Sequence, residues 1–181
     1  MNAPELLQNF NELLDSFETR RGYIDKAKTQ AKKFKPEVIE KVVRDHEAKS
    51  TEISDRIIPL VPQLQSQLGA LEESRDATKQ EKVGVDEQME ELDLRKAIGE
   101  LEENEYESSS SELRGTQMEL EERLEEIQNA RDTLDAALAR WRTWAAKAGV
   151  ETGERKETKK KKAEPKPERA PGIVETHPEG V

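Results

Sequence analysis

Tyr106, Leu113, Leu120, Ile127, Leu134, Trp141 and Ala148 follow one another at intervals of seven residues without a slip. Seven residues are close to two helical turns, so these side chains share one seam of one helix. Charged residues occupy most of the other faces. A seam that narrow is stable in water only when another helix covers it. The expected fold is therefore all-α, and the question becomes which segment supplies the cover.

Composition narrows the answer. Of 181 residues, 39% are charged, 33% hydrophobic and 4% aromatic. A compact globular domain is closer to half apolar. These fractions suit helix–helix seams and leave little for a wide core. The net charge of −10 makes nucleic acid a poor default partner for the whole molecule. Cysteine is absent, which removes disulfides, thiolate chemistry and cysteine-ligated zinc. His46 and His177, far apart, do not make a metal site. No apolar run approaches the ~20 residues that span a bilayer. The first residues, Met1 to Glu5, lack the basic-then-apolar order of a secretion signal, so a cytoplasmic protein is expected. No Gly-rich phosphate loop, nucleophile elbow or catalytic triad pattern is present, so neither catalysis nor a cofactor is expected.

Apolar residues from Leu6 through Phe10, Leu13, Leu14, Phe17, Ile24 and Ala27 to Phe34 recur at three- and four-residue spacing. They mark an amphipathic helix. Pro36 disfavours helical geometry at Lys35, so a break is expected there. Helix resumes with Val38, Ile39, Val42, Val43, Ile53, Ile57 and Ile58 as its apolar positions. Pro59 and Pro62 then kink or interrupt it. Helical spacing returns through Leu64, Leu68 and Leu71, weakens at Arg75, Thr78 and Lys82, and recovers at Val85, Met89, Leu92 and Ile98. Gly99 suits a left-handed helix end, and Glu102, Glu103 and Glu105 suit the start of the next helix.

These signals predict two antiparallel hairpins. With a turn near residues 99–103, the numbers of facing residues add to about 202. Leu134 then meets Leu68, and Leu113 meets Met89. With a turn at Phe34–Pro36 they add to about 70, and Phe17 meets Ile53. The expected organisation is an N-terminal helical hairpin over residues 1–58, a long coiled-coil hairpin over 59–149 and a disordered Lys/Pro-rich tail over 150–181. A small three-helix core is expected where the hairpins meet, around Phe10, Leu60, Leu64 and Trp141. Trp144 is read as core packing there. Pro36, Pro59, Pro62 and Gly99 all interrupt the alternative, a straight parallel dimer. A homodimer nevertheless remains open.

Two surfaces stand out. Glu102, Glu103, Glu105 and Tyr106 lie at the tip of the long hairpin, among further carboxylates. They lack the spacing and turn glycine of a calcium loop. Lys159, Lys160, Lys161 and Lys162 form the basic run of the tail, with no aromatic residue interleaved to stack on bases. Arg20, Arg21, Lys26, Lys28, Lys32, Lys33 and Lys35 make the first bend basic as well. His46, at a seam position, is read as a tolerated seam or flank residue, with a pH-sensitive polar layer as the alternative. Ser108 to Ser111 are read as a short flexible polar segment.

The run Leu94-Arg95-Lys96-Ala97-Ile98-Gly99-Glu100-Leu101, followed by Glu105-Tyr106, resembles a turn found in helical hairpins of bacterial coiled-coil proteins. The family in question ends in a four-cysteine zinc ribbon, and its members are taken to be adaptors or chaperone-like factors. The resemblance covers about a third of the chain, residues 92–141. The ribbon cysteines, expected after Trp144, are absent. The resemblance implies a bacterial hairpin protein and transfers no site residue.

The expected function is that of a non-enzymatic scaffold or adaptor, binding protein partners through the acidic tip and the basic tail. The alternatives are a nucleic-acid-associated factor acting through the tail and a self-assembling structural rod.

Overall fold

The computed structural model describes residues 3–154. They form an all-α chain of four helices: α1 (Ala3–Thr29), α2 (Pro36–Ile57), α3 (Val61–Ala97) and α4 (Glu103–Ala148). No strand occurs among the described residues.

α1 ends before the expected break. Its last residue is Thr29, and residues 30–33 form overlapping turns. Lys35 is extended (φ −63°, ψ 140°), as a residue preceding proline should be, and Pro36 opens α2. Phe34, read from the sequence as the end of the α1 stripe, lies in this turn and is 58% exposed. The fold-back register agrees with expectation. Tyr23 lies against His46, with ring centroids 5.2 Å apart and planes tilted by 40°. Bulky α1 residues, Leu14, Phe17 and Ile24, are buried. Their counterparts on α2 include two small polar residues, Ser50 and Ser54, also buried. Each serine hydroxyl donates to a carbonyl of its own helix, His46 O and Thr51 O, both at 2.8 Å. A short side chain that satisfies itself lets the helices approach closely.

Between α2 and α3 the prolines impose one turn of 3-10 helix, Ile58–Leu60. The backbone stays right-handed helical through Ile57, Ile58, Leu60 and Val61. Tightening to three residues per turn absorbs the missing donors without reversing the chain. The two hairpins therefore leave this point in opposite directions, sharing one continuous central rod.

α3 and α4 form the long hairpin. Gly99 (φ +79°) ends α3 in the left-handed region. Glu100 N–H donates to Arg95 O at 2.9 Å and Gly99 N–H to Lys96 O at 3.0 Å. These two bonds make a Schellman cap. Cross-helix pairs fix the register: Lys82 with Glu121, Gln117 with Asp86 at 2.7 Å and Arg131 with Glu72 at 2.9 Å. Their numbers add to 203 in each case, one residue from expectation. Leu120, Ile127 and Leu134 are buried along the seam. Thr78 is fully buried among them, its hydroxyl donating to Ser74 O at 2.9 Å.

The three-helix core sits at the junction. Leu6, Phe10, Leu14 and Phe17 from α1 meet Ile57, Val61 and Leu64 from the central rod and Leu134, Leu138, Trp141 and Ala145 from α4. Trp141 is completely buried and meets Phe17 edge-to-face, with centroids 5.4 Å apart. Trp144 is half-buried at the margin, with Lys147 over its ring. Arg140 ties α4 to α1 through Asp15 (2.6 Å) and Glu18 (2.5 Å).

The first five residues assigned to the tail are packed. Gly149 (φ +69°) turns the chain, and Val150 lies against the core. Trp141 Nε1–H donates to Thr152 O at 2.8 Å. Arg142 pairs with Glu154. Gly153 (φ +75°) crosses Ile58 so closely that a Cβ there would sit 2.7 Å from Ile58 O. Low hydrophobicity hides this segment from sequence analysis. It is held by a single indole donor, an ion pair and a close glycine crossing.

Candidate interaction surfaces

The hairpin tip is built by the turn and by the few cations near it. Between Glu87 and Glu107 there are nine carboxylates and two cations, Arg95 and Lys96, a net of −7. Both cations are engaged. Arg95 pairs with Glu91 (2.5 Å) and Glu100 (2.6 Å). Lys96 pairs with Glu103 at 2.8 Å and lies 3.8 Å from the centroid of the Tyr106 ring. Tyr106 donates its hydroxyl to Asp93 Oδ1 at 2.8 Å. That hydrogen bond to a carboxylate, with some burial, raises the Tyr106 pKa above its ordinary value. The Lys96 pKa is raised as well, first by its hydrogen bond to Glu103.

The four tip residues expected from the sequence thus divide. Glu103 and Tyr106 lock α4 to α3. Glu102 is the extended residue preceding α4 (φ −73°, ψ 152°), and its side chain makes no capping bond. Glu102 and Glu105 are exposed, with no ion pair among the described residues. Lys159, Lys160, Lys161 and Lys162 lie outside the described residues. Glu154 is held at the junction by Arg142. The tip lies at the far end of the 37-residue helix α3, which is ~55 Å long.

Two apolar residues at the tip are exposed, which their periodicity in the sequence does not indicate. Leu94 is 62% exposed and Ile98 is 68% exposed. Ile98 was expected on the seam. The chain turns at the next residue, so α4 never extends over it. Leu94 and Ile98 are four residues apart and share a helix face. The place of Gly99 was the available signal, since a seam residue adjoining the turn has no residue opposite.

The first bend has a similar character with opposite charge. Arg20 to Lys41 contain eight basic and three acidic side chains, a net of +5. Val38 and Val42, expected as seam residues of α2, are 51% and 39% exposed. Ile39 and Val43 take the partly covered positions instead. The α2 stripe is wider than α1 can cover. Val38, Val42 and His46 run along one face of α2 at intervals of four, with Tyr23 beside His46 and Phe34 exposed in the turn that precedes the helix.

Among the described residues there is no group of His, Cys, Asp or Glu that could hold a metal ion, and no helix long and apolar enough to cross a membrane. Compared with family models, with curated proteins and with solved structures, the chain matches none.

Proposed function

We propose that this chain is a non-enzymatic cytoplasmic adaptor, bacterial as the hairpin turn suggests. It links protein partners through the acidic tip, centred on Glu102, Glu105, Leu94 and Ile98, and through the basic run Lys159–Lys162. One observation carries the reading. A long two-helix arm holds an acidic surface with two exposed apolar anchors tens of ångströms from the point where the basic segment leaves the body. Apolar anchors ringed by charge are the usual composition of a docking patch. A tip that was only solvated would have no need of Leu94 and Ile98 at its surface. The cytoplasmic placement rests on the cysteine-free composition.

The test is partner capture with three chains: full length, a chain ended after Glu154, and the double variant Ile98→Ser, Glu105→Lys. Ending after Glu154 keeps the Thr152 and Arg142 contacts, which a cut at Gly149 would remove. The expected result is that the truncation and the tip variant each lose a different set of retained proteins. If both retain what the full chain retains, the adaptor reading fails. Retained nucleic acid that is lost on truncation and released steeply with salt would favour the rival reading.

A further inference from the structure

Eight large hydrophobic side chains are exposed among the described residues, and six of them lie at the two ends. Tyr23, Phe34, Val38 and Val42 belong to the first bend; Leu94 and Ile98 belong to the tip. The surrounding charges are +5 at one end and −7 at the other. We propose that the apolar stripe of the first bend docks the hairpin tip of a second copy of this chain.

The proposal rests on the tip being a docking surface, as argued above, and names its occupant. Three observations select a second copy. The two apolar patches have matching form. Val38 and Val42 on one, Leu94 and Ile98 on the other, are pairs four residues apart on a helix face. Their settings are complementary in sign, which steers encounter and fixes orientation. A single contact also covers both sets of exposed residues. An anionic membrane or a nucleic acid would account for the lysines of the bend and leave Leu94 and Ile98 uncovered. Within one chain the contact cannot form, because the two hairpins leave the junction in opposite directions. The contact pairs unlike surfaces, so it is heterologous. Such contacts extend into a row of copies or close where the rotation allows.

The proposal is tested by sedimentation velocity on the full chain. Association is expected to rise with protein concentration at about 50 mM salt, and to weaken at least about tenfold at about 500 mM, where charge screening is several times stronger. Two variants carry the polarity test: Phe34→Ser with Val38→Ser at the bend, and Leu94→Ser with Ile98→Ser at the tip. All four side chains are exposed, so circular dichroism should report unchanged helix content. Each variant alone is expected to be monomeric. Mixing the two should restore a 1:1 complex, since one retains an intact bend and the other an intact tip. A chain that stays monomeric at low salt overturns the proposal. So does association that neither variant weakens, or a mixture that does not pair. A tip variant that loses a captured protein while the chain is monomeric would overturn this inference and leave the adaptor reading standing. A tip variant that changes neither measurement would end both.

Discussion

Replacing Trp141 with alanine should cost more stability than any other single truncation in the molecule. Its ring is completely buried at the point where α1, α4 and the central rod converge. A buried tryptophan removes ~150–250 Å² from water, which at ~25 cal/mol per Å² is ~4–6 kcal/mol. The alanine methyl retains part of this, and measured core Trp→Ala changes are ~3–5 kcal/mol. Two further losses place Trp141→Ala in the upper half of that range, about 4–5 kcal/mol. One is the edge-to-face contact with Phe17. The other is the indole donor to Thr152 O, which with the Arg142–Glu154 pair ties residues 150–154 to the body of the protein. Trp144, half-buried three residues later, is the internal control. Trp144→Ala should cost about 1–2 kcal/mol. Urea unfolding followed by far-UV circular dichroism measures both. The reasoning is refuted if Trp141→Ala costs under about 1.5 kcal/mol, or no more than Trp144→Ala.

Thr78→Val should stabilise the long hairpin by about 0.5–1 kcal/mol in the same assay, because it puts a methyl on the seam where a hydroxyl now returns to its own helix. Gly99→Ala should destabilise by about 1–2 kcal/mol, from the left-handed backbone alone, since a Cβ there meets nothing within 4 Å. Gly153→Ala meets both the left-handed strain and Ile58 O at 2.7 Å. It should release residues 150–154 and let amide exchange and Trp fluorescence report the loss. In a Tyr23→Phe background, tyrosinate absorbance should show Tyr106 ionising at higher pH in the folded chain than in urea, and Asp93→Ala should shrink the gap. The sign follows from the raised value. Because the folded pKa exceeds the unfolded one, this contribution to stability is complete below pH 10.0 and is lost as pH rises through the folded pKa.

The registers of both hairpins were legible in the sequence. Heptad spacing, Pro36 and Gly99 each act through local geometry, and local geometry was enough to place Lys82 opposite Glu121 within one residue. The acidic tip and the basic bend were equally visible, because charge requires no partner to be counted. The exposure of apolar residues at the two ends was not. Val38, Val42, Phe34 and Ile98 obey the same periodicity as buried residues such as Phe17 and Ile24. Nor could the sequence divide the tip carboxylates between Glu103, which is consumed by Lys96, and Glu102 and Glu105, which are exposed.

By itself, then, the sequence determined that this chain is helical, where it turns and how its charges are distributed, since propensity, proline, glycine and repeat spacing operate within a few residues. Only the tertiary structure decided which apolar residues are covered. Burial depends on whether another helix reaches a given position. That reach is set by where α1 ends, where α4 begins and how the chain folds back past Gly149. Six exposed apolar side chains at two oppositely charged ends are the consequence.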